Sequence, residues 1–143
     1  MKEFRKKKKN NKGFSLVELI VVIAIMAVLV GIMAPQFFKY VGQSKKSTDI
    51  KNVQEIISAL QVAEVDPTLG VEAGKVELTS TAAPAITGAK NTAALTAAGI
   101  TNMKLKYDKW VTTGTNKVTV TIAVDPTTGI ATYAVTPSEA AGN

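Results

Sequence analysis

Glu18 poses the clearest chemical question in this sequence, because it is a carboxylate inside a long apolar stretch. That stretch, residues 14–34, reads FSLVELIVVIAIMAVLVGIMA and is otherwise interrupted only by Ser15 and Gly31. A charged side chain near the middle of a bilayer costs about 2.5–3.5 kcal/mol by insertion scales. Glu18 lies only about 6 Å along a helix from Phe14, so it can reach towards the headgroups and reduce this cost. A membrane anchor therefore tolerates Glu18 without requiring it.

The residue types that usually carry enzymatic or metal chemistry are sparse. The chain has no His and no Cys, which removes the commonest general base and metal ligand, the thiol nucleophile and any disulfide framework. Scattered carboxylates in a chain with 20% charged residues are usually solvated, and we expect this of Glu64, Asp66, Glu72, Asp108 and Asp125. We therefore predict no catalytic residue, no metal site and no cofactor, since a calcium site would need several oxygen ligands close together.

The net charge of +6 is concentrated at the N-terminus. Residues 1–13 hold seven basic residues and one acidic residue, whereas residues 14–143 hold ten of each and are neutral overall. A nucleic-acid surface needs basic residues gathered on the folded domain. The sequence therefore predicts no direct nucleic-acid site.

The apolar stretch predicts a helix that spans a membrane. As a helix, residues 14–34 would be about 31 Å long, which matches the thickness of a hydrocarbon core. The preceding lysines predict that the N-terminus stays in the cytoplasm. An ordinary secretory signal peptide is excluded, because the apolar run is too long, contains a carboxylate and ends at Ala34-Pro35 without a small-residue cleavage site.

Residues 35–65 predict an amphipathic helix that continues the apolar one. Apolar residues recur at helical spacing with polar residues between them: Ile50, Val53, Ile57 and Leu60, joined by Ile56 and Ala63. Gly31 and Pro35 weaken the junction, because a proline cannot donate a hydrogen bond to the preceding turn. Asp66-Pro67 predicts the end of the helix.

Residues 66–143 predict a small β-rich head. Residues 117–124, KVTVTIAV, alternate between apolar and mostly polar positions, as a half-buried strand does. Turn residues follow at 125–129 and a second strand candidate at 130–135. Together these segments predict a β-hairpin.

The rest of the head gives weaker signals. Residues 75–79 and 103–107 are further strand candidates. Residues 80–102 are rich in Ala, Thr and Gly, which predicts mostly loop with a short helix at 92–98.

These elements predict an α+β fold with a long N-terminal helix. Its apolar half would protrude, and its amphipathic half would pack on a small antiparallel sheet, because the head alone provides a marginal core. We expect Tyr107 and Trp110 to lie in the head core rather than to form a stacking platform.

The segment GFSLVEL at residues 13–19 follows the basic leader and precedes an apolar run that ends at Pro35. In this combination the sequence resembles the type IV prepilin superfamily, over about residues 6–60. The resemblance implies that a prepilin peptidase cleaves between Gly13 and Phe14 on the cytoplasmic side. It also implies that the same enzyme methylates the new N-terminus at Phe14.

Cleavage would remove all of the net charge and leave an ammonium group at Phe14, at the positive end of the helix dipole. A buried ammonium requires a nearby anion, and Glu18 can supply it. The resemblance implies a pair between Glu18 and the Phe14 amine of a neighbouring subunit. Pairing within one subunit remains the alternative, because the two residues are one helical turn apart.

The resemblance further implies a homopolymer, a helical surface filament whose core is the N-terminal helix. Gly31 and Pro35 would let the helix bend or melt as it leaves the membrane and repacks. The implied partners are the cytoplasmic membrane before assembly, the prepilin peptidase, and the assembly platform with its ATPase. The subunit would lie first in the cytoplasmic membrane and then in an extracellular pilus.

Two alternatives stay open. One is a pseudopilin of a type II secretion or competence system, and the other is a membrane-tethered surface-binding module that never polymerises. The absence of Cys favours a Gram-positive, clostridial-type pilin, because related heads from double-membraned bacteria often close a loop with a disulfide. The hairpin at 117–135 would stabilise the head instead.

Overall fold

The structure is a computed structural model that describes residues 13–112 and 115–142. The chain forms two compact units, Met1–Lys39 and Tyr40–Asn143. One helix, α1 (Leu16–Val65), contributes residues to both units.

In the first unit, α1 is an apolar helix with an uncovered surface. Every residue from 13 to 39 is exposed, apart from the half-buried Ala34. Of the described helices, α1 is the one that is long and apolar enough to cross a membrane, with a mean hydropathy of 3.0 over its most apolar window. The length and apolar character of this helix agree with the prediction from the sequence.

In the second unit, one face of α1 is buried. Val53, Ile56, Leu60 and Ala63 are at most 2% exposed, and Ile50 and Ile57 are partly buried beside them. These positions recur every three or four residues, so they lie on one face of the helix. The predicted amphipathic stripe is confirmed, as is the end of the helix, which falls at Val65.

The second unit contains an antiparallel sheet centred on one long strand. Its strands are β1 (Gly74–Thr79), β2 (Ala85–Ile86), β3 (Val111–Thr112), β4 (Thr115–Val124) and β5 (Ala131–Thr136). β4 pairs with β1 on one side, where Val120 faces Val76, and with β5 on the other, where Val120 faces Val135. β2 extends the sheet beyond β1, and β3 pairs with the first residues of β4.

Alternate residues of the central strands form the core with α1. Val76, Leu78, Val118, Val120 and Ile122 are at most 2% exposed and belong to the same apolar cluster as the stripe of α1. Because strand side chains alternate between the two faces, a period of two places all of them on one face. The predicted α+β architecture is therefore confirmed.

The predicted hairpin and the strand at 75–79 are also confirmed, as β4–β5 and β1. Asp125 shapes the hairpin turn, because its carboxylate accepts the backbone N–H groups of Thr127 and Thr128 at 2.7 and 3.0 Å. Gly129 has a φ of +73°, which glycine adopts without steric cost.

The predicted strand at 103–107 is wrong. The backbone N–H of Leu105 donates to the Thr79 carbonyl at 3.0 Å, but the next two N–H groups, of Lys106 and Tyr107, both donate to the carboxylate of Asp49 at 2.8 Å. A side chain of α1 thus satisfies backbone groups that a neighbouring strand would otherwise have bonded.

The segment 80–102 has more regular structure than predicted. It contains β2 and a helix, α2 (Ala89–Ala97), that begins three residues before the predicted start. Asn91 accounts for the early start, because it is fully buried and its amide N–H groups donate to the carbonyls of Glu72 and Thr87, both at 2.9 Å. These bonds hold the first turn of α2 against the preceding chain. A short 3-10 helix (Ser138–Ala141) follows β5.

Candidate functional site

The candidate site lies at the start of α1, where Gly13, Phe14, Ser15 and Glu18 are adjacent. Helix α1 begins at Leu16, so Ser15 is its N-cap and Glu18 is the third helical residue. The Glu18 carboxylate accepts the backbone N–H of Ser15 at 2.8 Å. This is one half of a capping box, the Ser-x-x-Glu arrangement that satisfies an N–H group left free at a helix start.

The capping bond gives Glu18 a structural role besides the ion pair predicted from the sequence. The spacing Ser15-Leu16-Val17-Glu18 is the signature of a capping box. The carboxylate also lies at the positive end of the helix dipole, which favours an anion there. Both effects reduce the cost of placing a carboxylate at the edge of an apolar helix.

The peptide bond between Gly13 and Phe14 lies open. Phe14 is 92% exposed, and a Cβ atom added to Gly13 would meet no other atom within 4 Å. Nothing in the described part of the chain therefore covers this bond. In this uncut chain the Phe14 nitrogen is a peptide nitrogen, so the ion pair between its amine and Glu18 stays a prediction.

Gly31 and Pro35 lie inside α1, which continues through both residues. In an α-helix the N–H of residue 35 would donate to the carbonyl of residue 31, and proline has no N–H. The two residues therefore flank a single missing hydrogen bond. A Cβ at Gly31 would meet no atom within 4 Å, so this glycine is not required by a close contact within the chain. The predicted bend stays a prediction.

The apolar surface of α1 before Lys39 is large and uncovered. Its big side chains from Leu16 to Met33 are all between 50% and 73% exposed. Contiguous apolar surface of this size marks contact with a membrane or with other protein chains. The helix can therefore enter lipid or pack against other helices.

Asp66 and Asp125, two of the carboxylates predicted to be solvated, also shape the local backbone. A hydrogen bond from the Thr68 hydroxyl, with a second from its backbone N–H, lowers the pKa of Asp66. Hydrogen bonds from the backbone N–H groups of Thr128 and Thr127 lower the pKa of Asp125. Within residues 13–112 and 115–142, no group of three or more Asp or Glu residues could hold a metal ion.

Glu64 and Glu72 are likewise engaged in the fold. Glu64 accepts the backbone N–H of Ala131 at 2.7 Å and the hydroxyl of Tyr133 at 3.1 Å, so it ties the end of α1 to β5. Burial, reinforced by the hydrogen bond and charge of Glu64, raises the pKa of Tyr133. Glu72 accepts the backbone N–H of Lys90 at the start of α2.

The prediction for the aromatic residues is confirmed. Trp110 is 2% exposed in the core, and Tyr107 packs against it edge-to-face with ring centroids 5.4 Å apart. Asp49 was not predicted as a core or site residue from the sequence, yet it is fully buried and bonded to this region. The burial of Asp49 could have been predicted from its position, because it lies four residues before Val53 and therefore on the apolar stripe of α1.

Comparisons with known proteins identify a known motif at the start of the chain and several partial relatives. The family model for the prokaryotic N-terminal methylation motif matches residues 8–34. Type IV major fimbrial protein FimA of Dichelobacter nodosus is 34% identical over 64 residues, which are 45% of this chain and 39% of FimA. Type IV major pilin protein PilA of Myxococcus xanthus is 39% identical over 49 residues, 34% of this chain and 22% of PilA.

A third relative is similar over a longer segment. Prepilin peptidase-dependent protein A of Clostridium perfringens is 31% identical over 74 residues, which are 51% of this chain and 53% of that protein. In all three cases the match covers less than two thirds of the relative's length. No solved structure matches the chain.

Proposed function

Because the chain is a member of the type IV pilin superfamily, we propose that it is a structural subunit of a type IV pilus. The observation that carries this proposal is the position of Glu18, in the first turn of an exposed apolar helix and four residues after Phe14. An anchor does not need a carboxylate there, whereas a subunit that must pair with a new N-terminal amine does.

Processing is the first step of the proposal. A prepilin peptidase cuts the open bond between Gly13 and Phe14, removes the basic leader and methylates the Phe14 amine. The leader carries all of the net charge, so it orients the precursor with its N-terminus in the cytoplasm until the cut. The relative from Clostridium perfringens is named for dependence on this peptidase, which supports the step for this chain.

Glu18 then has two successive partners. In the precursor its carboxylate accepts the Ser15 N–H, which stabilises the helix start and the carboxylate together. After cleavage, the Phe14 ammonium of a neighbouring subunit pairs with it. In a dry filament core an unpaired charge is strongly disfavoured, so this pair also selects the axial register between subunits.

The apolar surface of α1 has two uses. It first holds the subunit in the cytoplasmic membrane, and it then packs against other copies in the filament core. Repeated head-to-tail contacts build an open helical polymer. The missing hydrogen bond between Gly31 and Pro35 lets the helix bend or locally unwind during this transfer. An assembly platform and its ATPase supply the work of extraction.

The other two readings differ in what happens after insertion. A pseudopilin of a type II secretion or competence system would be cleaved in the same way but would form only a short, scarce filament. A membrane-tethered surface-binding module would stay in the membrane without polymerising. Two of the relatives are named major pilin or major fimbrial protein, which favours the pilus subunit.

Mass analysis of filaments sheared from cells that produce the chain tests the proposal. We expect the chain to be the main component by mass, with an N-terminus at Phe14 that carries one added methyl group. A cleaved chain that is absent from abundant filaments would support the pseudopilin reading. A chain that remains in the membrane fraction and enters no filament would support the tethered module.

A further inference from the structure

Phe37, Phe38 and Lys39 follow the apolar stretch at residues 14–34, and the function proposed above gives them no role of their own. Phe37 and Phe38 are 63% and 72% exposed, and Lys39 is exposed beside them. The two rings meet edge-to-face, with centroids 6.1 Å apart and an angle of 67° between their planes. These rings are therefore not part of a protein core within the first unit.

The three side chains surround the helix at one level. Successive residues of a helix are rotated by about 100°, so three in a row point in three directions around the axis. They rise only about 3 Å along that axis. The helix thus carries a narrow band of two aromatic rings and one ammonium group.

The height of this band matches a membrane interface. Phe37 lies 23 residues after Phe14, or about 35 Å along the helix. A hydrocarbon core is about 30 Å thick, and a bilayer with its headgroup regions about 40–45 Å. A helix that starts at the inner headgroup layer therefore brings residues 37–39 to the outer headgroup layer.

We propose that Phe37, Phe38 and Lys39 form an interfacial girdle that binds the outer headgroup layer and sets the depth of α1 in the membrane before assembly. Interfacial helices bury Phe side chains at the boundary between headgroups and acyl chains, and a lysine stem lets its ammonium reach lipid phosphate. The girdle stops the apolar helix from sliding along its axis. This inference rests on the membrane-bound precursor of the proposed function.

Depth-dependent quenching of tryptophan fluorescence tests the girdle. The full chain is reconstituted in vesicles of phosphatidylcholine and phosphatidylglycerol that carry bromine either near the headgroup or near the end of the acyl chain. The wild-type chain gives the background quenching, which comes from Trp110 alone, because Trp110 is its only tryptophan. The variant Phe37→Trp should be quenched about twofold more by the shallow bromines than by the deep ones. The matched variant Ile25→Trp, at a site of similar exposure (56% against 63% for Phe37) in the middle of the apolar stretch, should show the reverse.

The outcomes separate the girdle from the membrane anchor. If Ile25→Trp is quenched by deep bromines while Phe37→Trp gives no quenching above background, the girdle is wrong and the anchor stands. Quenching of Phe37→Trp chiefly by the deep bromines also overturns the girdle. If neither variant is quenched, the membrane-bound precursor itself is wrong, and the girdle with it.

A second measurement tests whether the girdle sets the depth. In the Ile25→Trp background, the triple change Phe37→Ser, Phe38→Ser and Lys39→Ser should reduce quenching by the deep bromines about twofold, because the helix can then slide. The control is Gln43→Ser in the same background, which changes an exposed polar residue beyond the girdle and should leave the profile unchanged. An unchanged profile in the triple variant would contradict the depth-setting role.

Discussion

The carboxylate of Asp49 accepts a hydrogen bond from the indole N–H of Trp110 at 2.9 Å, across 61 residues of chain. The same carboxylate also accepts the backbone N–H groups of Lys106 and Tyr107, both at 2.8 Å. One buried side chain of α1 thus holds the segment that leads into β3. In a chain without Cys, this contact closes a long loop onto the helix.

We predict that Asp49→Ala strongly destabilises the head. The change leaves three donors without their acceptor, and each buried unsatisfied group costs about 1–3 kcal/mol. A loss of about 3 kcal/mol or more in the free energy of unfolding should follow, measured by far-ultraviolet circular dichroism in guanidinium chloride. Asp49→Asn keeps one acceptor oxygen and should lose less. Lys51→Ala, on the exposed side of the same helix, is the control, and an equal loss there would refute the specific role of Asp49.

Gly13→Leu should block cleavage without disturbing the fold. A Cβ at this position meets no atom within 4 Å, so any loss of processing reports recognition by the peptidase rather than damage to the subunit. Gly13→Ala, with a side chain of one carbon, should retain more cleavage. Intact-mass measurement of the membrane fraction distinguishes the precursor from the product. A Gly13→Leu chain that still begins at Phe14 would show that the cut does not depend on a small residue.

Glu18→Gln and Glu18→Ala separate the two proposed roles of this side chain. Glutamine keeps the acceptor of a capping box but has no charge, whereas alanine has neither. If the Phe14 ammonium needs an anion, both variants should still be processed but should give at least about tenfold fewer filaments. A loss of about 1.4 kcal/mol in each contact between subunits already weakens that contact tenfold. Filament yield is measured by weighing the sheared fraction. Normal filaments from Glu18→Gln would show that capping, not charge, is what assembly requires.

Pro35→Ala should stabilise the middle of α1. The new N–H can donate to the Gly31 carbonyl, and one such bond is worth about 1 kcal/mol, so amide exchange around residue 31 should slow roughly fivefold. Hydrogen exchange followed by mass spectrometry on the membrane-bound chain measures this. Met33→Leu, which changes no backbone hydrogen bond, is the control. If helix unwinding aids extraction, Pro35→Ala should also assemble more slowly, and an unchanged assembly rate would argue against the proposed bend.

The head should lose stability in acid. The hydrogen bond and charge of Lys46 lower the pKa of Glu139, and hydrogen bonds from Thr128 and Thr127 lower that of Asp125. A carboxyl whose pKa is lower in the folded state adds stability above its unfolded pKa, near 4, and loses it as the pH falls through the folded value. The midpoint temperature of thermal unfolding should therefore decrease as the pH is lowered from 5 to about 3.

The variant Asp125→Asn with Glu139→Gln checks the origin of this effect. It should unfold at a midpoint that changes less with pH than wild type does. Gln61→Ala, an exposed substitution that removes no titrating group, should keep the wild-type dependence. Identical pH profiles for wild type and the double variant would place the effect in other groups.

Much of the fold was predictable because its signals are local. The hairpin follows from the alternation in residues 117–124 and the turn residues after them. Its register is set by the short turn, because β4 and β5 are adjacent in the sequence. The helix end at Val65 follows from Asp66-Pro67. The prediction of a strand at 103–107 was wrong for the opposite reason, because the interaction that decides this segment is not local. The backbone N–H groups of Lys106 and Tyr107 donate to Asp49, which lies 57 and 58 residues before them in the sequence.

The sequence by itself indicated the N-terminal site, because a basic run, the Gly13-Phe14 dipeptide, a capping residue and an apolar length are all properties of consecutive residues. Tertiary structure alone decided which carboxylates are structural. Asp49 and Glu64 look like ordinary polar residues of an amphipathic helix, and only folding brings them to their donors in the 103–110 segment and β5. The physical reason is that every buried donor needs an acceptor, and spacing along the chain does not reveal an acceptor that arrives from a distant element.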